Sequence, residues 1–582
     1  MALLRIGLAL ALVSAGSLTA AQRGGRVPLT SDDIEAIARL VMLEDTRTFE
    51  EATLSAFLDS KHPEVRRRAI VSVGRIIDAK EQRGAALLAA RHGEKDPELL
   101  ATIAWATGQV RDAGAVAWLA HLLTDSLTPP PAAREAAGAL GKIRNADSRA
   151  ALAKYLASAP MTDAAAPTVG EALLSIGRFN RGEDIAPIVR WIRSPNVEVR
   201  WRAAWALFRP RDPAAVPHLL ALADDASGDV RYWAVRALAP PPAPARGRGA
   251  DAAAAPPPPE PPVDPALAAQ LSARLAVALK DPDRRVRTEA LRALGGYDDD
   301  ASFDAVMAAI ESPDTWLSVS AAEALGRKAA RAEAVVPKLA EAAALGKPLA
   351  LRLTSLTPLV TMAPDQAIDI AAAIARMDSA TARAAAVQAL QRLGPPGKIK
   401  LDELTSQPGL KDLVPAAGGP RPAAPARTLA DYRKLVERWV VPDYLGAPKP
   451  RAIWTFNRGE IEIELYPGDA PLATEYFVTL VNSGAIVGTE FGRLVPNFVA
   501  QQRTITGAFT LRDEVNRHGL TRGNLSWASS GLDTGRPGYT LGHTPQPHNE
   551  GDFTSLGRVI RGMDVVDRLE LGDAVTRTRM IK

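Results

Sequence analysis

Glu490-Phe-Gly-Arg-Leu-Val-Pro-Asn-Phe-Val-Ala-Gln-Gln502 is the stretch whose reading decides the C-terminal fold. Apolar and polar residues alternate on either side of Pro496, the period-two signature of strands. That predicts one strand over 490–495 and a second over 498–502, split at the proline. The alternation does not require an arginine at 493, a phenylalanine at 498 or a glutamine at 501. Arg493, Phe498 and Gln501 are therefore the candidate residues for chemistry. Taken singly, each has a structural alternative. An inward arginine can pair with a carboxylate, Phe498 can be core, and Gln501 can be an ordinary strand residue.

The surroundings extend the same pattern. Residues 452–456 and 460–466 read as strands joined at the Asn457-Arg458-Gly459 turn. Ala470-Pro471 opens a helix, where proline suits the first turn, and Tyr476, Phe477 and Leu480 follow at core spacing. Further strands are expected at 525–528, 539–541 and 555–560, with a short helix at 563–569. Strands with one helix near each end predict a closed β-barrel capped by two helices.

Upstream the period is different. A unit reading Val-Arg-x-x-Ala-x-x-Ala-Leu-Gly recurs, with clear copies at Val65, Val199, Val230 and Val286. Weaker copies start at Leu99, Ala132, Thr168, Leu317, Leu351 and Ala382. Most starts lie roughly 30–36 residues apart, a solenoid period. Each unit has one apolar helical face that it cannot bury alone, so neighbours must stack into a continuous core. The gap between Val230 and Val286 is longer by about the length of the Pro/Ala-rich run 240–265, which reads as a loop inserted in one repeat. Trp105, Trp201, Trp205, Trp233 and Trp316 fall on these helices and read as core filling rather than a binding patch. After a second proline-rich run, 415–426, a connector helix is expected over 429–440, with Tyr432, Leu435, Val436 and Trp439 on one face.

Composition bounds the function. The 582-residue chain exceeds one core, which predicts several domains. A formal charge of +4 with scattered arginines gives no basic stripe of the kind nucleic-acid binding needs. The absence of cysteine excludes disulfides, thiolate catalysis and Cys-ligated zinc. The seven histidines are dispersed, so neither a metal nor another cofactor is expected. Arg5, the apolar run 6–18 and the small residues Thr19-Ala20-Ala21 form a signal-peptide pattern, with cleavage after Ala21; the alternative is a buried N-terminal helix. No later apolar run is long enough to span a membrane. The expected product is an exported, periplasmic or secreted protein.

Two resemblances carry these readings further. The repeats resemble bacterial HEAT repeats, which implies an all-α solenoid whose concave face can hold a protein partner. The C-terminal domain resembles a cyclophilin, a peptidyl-prolyl cis-trans isomerase. The matching residues are Ile463-Glu464-Leu465-Tyr466, Ala470-Pro471, Phe491-Gly492-Arg493-Leu494-Val495-Pro496-Asn497-Phe498-x-x-Gln501, Arg512-Asp513-Glu514, Leu525-Ser526-x-Ala528, Gly531-x-Asp533-Thr534, Pro545-Gln546-Pro547-His548 and the run from Gly557 to Asp567. The resulting layout is a signal peptide (1–21), a HEAT solenoid (31–396), a linker and connector helix (397–447) and a cyclophilin-like domain (448–582). The resemblance implies that Arg493 is the catalytic arginine, Phe498 the floor of the proline pocket and Gln501 the residue that orients substrate and arginine. It places Val499, Ala528, Ser529, Tyr539, Thr540, His548, Asn549 and Phe553 at the substrate-binding positions. There the sequence departs from the family. Gly538-Tyr539-Thr540 stands where a Gln-x-Phe is usual, Val499 where methionine is common, and Asn549 and Phe553 where a leucine and a histidine line the pocket. Tyr539 or Phe553 is a candidate to refill the lost apolar wall. The expected function is isomerisation of X-Pro bonds in proline-containing protein clients; the alternative is a weak or inactive proline-peptide reader on a HEAT scaffold.

Overall fold

The computed structural model describes residues 26–76, 83–179, 184–210, 212–240, 264–414, 424–505, 507 and 509–581. The signal-peptide segment 1–21, nearly all of the Pro/Ala-rich run and most of 415–426 lie outside the described residues.

The repeat signal marks helices in register. Val65, Leu99, Ala132, Thr168, Val199, Val230, Val286, Leu317, Leu351 and Ala382 are each the third residue of a helix. Those helices are Pro63–Arg75, Pro97–Gln109, Pro130–Ile143, Ala166–Ile176, Val197–Phe208, Gly228–Ala237, Arg284–Leu294, Thr315–Leu325, Leu349–Met362 and Ala380–Arg392. Asp96, Asn196, Asp283 and Asp314 cap their helices by accepting backbone N–H bonds, which satisfies donors that a helix start leaves orphaned. The small residues of the motif let helices touch, and one apolar core runs from Leu100 to Leu413. The final helix, Gly394–Thr405, buries Leu401 and Leu404 in that same core. Trp105, Trp201, Trp205, Trp233 and Trp316 are at most 5% exposed, so these five fill the core as read.

The arginine of the motif has its own task. Arg66, Arg200, Arg231 and Arg287 each donate to the carbonyls six and five residues earlier, closing the turn before the helix at 2.8–3.2 Å. Arg200 also pairs with Asp225 and Arg231 with Asp281, both at 2.7 Å, and Arg287 reaches Asp314 at 3.8 Å. One side chain thus fixes a turn and staples it to the next repeat.

The connector starts with the helix Leu429–Leu435 and continues through a π-helical turn, Val436–Val440. Tyr432, Leu435, Val436 and Val440 pack against Ile37, Val41 and Val65 of the first repeat and Leu472 of the last domain. Trp439 packs against the same cluster, half-buried, and its indole N–H donates to Glu475 at 2.5 Å.

The C-terminal domain is an eight-stranded antiparallel sheet curled on itself, in the order β3-β4-β6-β5-β7-β2-β1-β8. Its strands are β1 Arg451–Phe456, β2 Gly459–Leu465, β3 Phe491–Val495, β4 Val499–Gln502, β5 Asn524–Ala528, β6 Arg536–Gly542, β7 Gly557–Arg561 and β8 Arg577–Ile581. The edge strands β3 and β8 approach through a bridge between Glu490 and Ala574 just before each of them. Helices Pro471–Asn482 and Met563–Arg568 are the two caps. Trp454, Phe477, Phe491 and Tyr539 centre the interior.

The solenoid curves around this barrel and grips it from first repeat to last. Arg47 pairs with Asp533 at 2.6 Å, and Arg75 donates to Val515 O and Asp469 O. Arg517 of the barrel reaches back to Glu98 at 2.6 Å and Glu135 at 3.0 Å. At the far end Glu490 accepts from Ser379 Oγ and from Ala380 N and Thr381 N, a carboxylate seated on a helix N-terminus. The inner face that the HEAT resemblance offers to a partner is occupied here by the chain's own barrel.

Candidate functional site

The site is built on a bulge. Phe491 pairs with Gln502, but Arg493 pairs with Gln501, so Gly492 is an extra residue on β3. Strand side chains alternate, so Phe491 and Arg493 would otherwise share the core face. The bulge turns Phe491 inward, fully buried, and Arg493 outward to solvent. A side chain at 492 would run into that of Arg503, so glycine suits the extra position.

Outward of β3, one row of side chains crosses the sheet: Arg493, then Gln501 on β4, Thr540 on β6 and Ser526 on β5. Arg493 donates to Gln501 Oε1 at 3.1 Å, and the Thr540 and Ser526 hydroxyls lie 2.7 Å apart. The Arg493 guanidinium sits 5.6 Å from the centre of the Phe498 ring. Partial burial pushes the arginine down from its ordinary value, yet it stays a cation at neutral pH. No carboxylate pairs with it among the described residues, which removes the carboxylate-pairing alternative. One of its five N–H donors is used by Gln501, and no other side chain or carbonyl among the described residues accepts from it.

Phe498 is positioned by its neighbours on both sides. Its carbonyl accepts from His543 N at 2.9 Å. Asn497 before it is buried in the left-handed region (φ 63°) and donates to Arg285 O and to Glu289, each at 2.9 Å. Arg292 donates to Pro496 O at 2.7 Å, so the solenoid holds the turn that carries Phe498. His548 stacks obliquely on Phe498 at 6.0 Å between ring centres. Desolvation and the charges of Arg209, Arg236 and Arg178 push His548 down to about 4, so it is neutral at pH 7.

The remaining predicted positions divide. Val499 precedes Gln501 by two residues on the same strand face, and Asn549 next to His548 is tied to Gln546 at 2.9 Å. Ala528 ends β5, and the Ser529 hydroxyl is engaged within its own loop with Thr534 at 3.0 Å. Tyr539 is a correction. It is fully buried between Trp454 and Phe477 on the interior face, because its neighbour Thr540 takes the outward place in the alternation. Phe553 is another. It lines a cavity of about 560 Å³ between barrel and solenoid, with Gln109 and Lys142, and none of Arg493, Phe498 or Gln501 reaches that cavity. Gly538 cannot take the usual glutamine without a shift, since a Cβ there would stand 2.9 Å from Gln502 O and 3.0 Å from Arg503 O.

Sequence reasoning missed the solenoid's share of the site. Glu289, Arg292 and Tyr232 lie more than two hundred residues upstream, on helices that read only as repeat core. Their one visible mark was polar character on a helix otherwise explained by packing.

Comparison with known proteins places this geometry. Residues 452–582 match the family model of cyclophilin-type peptidyl-prolyl cis-trans isomerases, and 84–169, 161–239 and 271–356 match HEAT repeats. Peptidyl-prolyl cis-trans isomerase B of Bacillus subtilis is 36% identical over 129 residues, which cover 21% of this chain and 90% of that protein. The peptidyl-prolyl cis-trans isomerase of Helicobacter pylori (strain 26695) is 35% identical over 131 residues, covering 20% of this chain and 79% of the relative. The chain belongs to the cyclophilin-type peptidyl-prolyl cis-trans isomerase family through its C-terminal domain, and that domain is joined to HEAT repeats.

Proposed function

We propose that this chain is exported and isomerises X-Pro bonds in protein clients at the Arg493–Phe498–Gln501 face. The observation that carries the reading is the unpaired Arg493 guanidinium, held by Gln501 beside an aromatic ring. Rotation about an X-Pro amide is slow because it breaks amide resonance, at a cost of about 20 kcal/mol. No covalent step is needed. The proline ring rests on Phe498, and the guanidinium donates to the substrate carbonyl. As the amide twists, its nitrogen becomes pyramidal and basic, and the same cation stabilises the lone pair. A donor fixed before the reaction supplies this stabilisation without reorganising. Export rests on the sequence of 1–21. Among the described residues no helix is long and apolar enough to cross a membrane.

Thr540, standing on the site face where a phenylalanine is usual, favours a second reading, a proline-peptide reader with weak turnover, because it replaces apolar wall with a hydroxyl bonded to that of Ser526. The test is refolding of a protein whose slow phase is a prolyl isomerisation. Acceleration by the full chain supports the enzyme; binding of the unfolded client with an unchanged slow phase supports the reader. Mass spectrometry of the mature protein checks export, and an N-terminus at residue 1 in the extracytoplasmic fraction overturns cleavage after Ala21.

A further inference from the structure

Four successive inner helices carry an arginine at or just past their C-terminal ends. Arg144 caps Pro130–Ile143, Arg178 follows Ala166–Ile176, Arg209 caps Val197–Phe208 and Arg236 lies in the last turn of Gly228–Ala237. Two of them are tied to the two loops of the site. Arg178 donates to Pro547 O at 3.3 Å, next to His548. Arg236 donates to the Tyr232 hydroxyl at 2.8 Å, and that hydroxyl lies 3.5 Å from Asn497 O, next to Phe498. Arg209 is exposed and rests on Trp205 at 5.7 Å. Partial burial first, and then the charges of Arg144, Arg236 and Arg178, push it below its ordinary value. Helix C-terminal carbonyls, Glu289 near Arg236 and Glu550 near Arg178 offset part of this charge, and Arg209 is left with none of these carboxylates acting on it. Arg493 on the barrel adds a further cation with no carboxylate partner among the described residues.

A cluster of like charges held together by the fold, with aromatic rings beneath it, is the complement of an acidic chain. We propose that the solenoid supplies the specificity of the proline site: Arg178, Arg209 and Arg236 select X-Pro segments that carry acidic side chains beside the proline. The selection rests on the isomerase reading of the Arg493 face, to which it adds the substrate class. The barrel holds the proline and the solenoid reads the flanking charge. One bound segment then touches both domains, and this use of the repeats needs no second partner.

The experiment uses the full chain and two blocked peptides of equal length around a single Ala-Pro bond, one flanked by Glu and Asp, the other by Gln and Asn. Exchange NMR gives kcat/KM for each. At low salt the acidic peptide is preferred about tenfold, corresponding to about 1.4 kcal/mol. The preference shrinks to about twofold near 0.5 M salt, where screening is nearly complete within a few ångströms. Arg209→Ala lowers the acidic-to-neutral ratio at least threefold, and Arg209→Lys restores it. Equal turnover of both peptides by the wild-type chain overturns the inference and leaves the isomerase reading standing. Turnover of neither overturns the isomerase reading. The dissociation constants of the same two peptides then decide the inference: a tenfold preference for the acidic one sustains it, and equal or absent binding refutes it.

Discussion

Asn497 is the residue through which the solenoid reaches the proline site, and its replacement gives a two-part prediction. Asn497→Gly removes a hydrogen bond to Arg285 O and another to the buried Glu289 carboxylate. A neutral bond contributes about 1 kcal/mol and one to a charged group about 1.5–3 kcal/mol. Glu289 keeps Arg292 at 3.3 Å, so its charge is not stranded. The expected loss is about 2–4 kcal/mol. Asn497→Ala loses the same bonds and in addition places a Cβ in the left-handed region (φ 63°), which costs about 1 kcal/mol more. The order of stability is therefore wild type, glycine, alanine. Urea unfolding measures it, and hydrogen exchange over 491–502 shows whether the loss sits at the β3–β4 turn. Both variants also lose about tenfold in kcat/KM on a proline peptide, because Phe498 moves with the turn and misplacement of a contact group is costly. If both unfold at the wild-type midpoint and exchange as slowly over 491–502, the solenoid does not hold the turn and the reasoning fails.

Three further outcomes follow from the geometry. Turnover is flat from about pH 5 to about pH 9: Arg493 stays charged, and His548, whose pKa is depressed to about 4, stays neutral, so the profile departs only as pH falls through about 4. A bell centred near 6.5 contradicts this. Burial pushes Glu64 up, but Arg67 and Arg68 overcome it and hold the carboxyl at about 2, below its ordinary value of 4.5; this stabilises the folded state by up to about 3 kcal/mol above pH 4.5 and is lost as pH falls through about 2. Glu64→Gln is accordingly less stable in urea at pH 7, the gap to wild type more than halves near pH 3, and a gap independent of pH refutes the pairing. Gly538→Gln lowers the thermal midpoint, since forcing a side chain against the Gln502 and Arg503 carbonyls costs about 1–3 kcal/mol; an unchanged midpoint shows that the strand has room for the usual glutamine.

Much of the architecture is legible because it is periodic. Every repeat start falls at the third residue of a helix, since the motif's Val and Ala mark the buried face. The motif arginine reads as a repeat mark, but its stapling role needs the next repeat's Asp, which lies 25 residues on for Arg200 and 50 for Arg231. β8 is not legible in the sequence, because an edge strand with alternating arginines and no fully buried residue carries little apolar signal. At the site, Arg493, Phe498 and Gln501 come together as read. Tyr539 does not, because one position on a strand decides which face a side chain takes, and Thr540 holds the outward one. Glu490 could be read only as the start of a strand; its seat on the helix Ala380–Arg392 is a contact across more than a hundred residues. The clamp on Asn497 is likewise long-range, and no local pattern encodes it.

The central claim is that a guanidinium fixed beside Phe498 lowers the barrier to proline rotation. Exchange NMR on an Ala-Pro peptide with the full chain and its Arg493→Ala variant tests it directly. The wild-type chain broadens and exchanges the cis and trans proline resonances, and Arg493→Ala loses about 10²–10³ in kcat/KM, the loss expected on removing one preorganised donor. Wild-type exchange no faster than the free peptide, or an Arg493→Ala variant as fast as wild type, contradicts the claim.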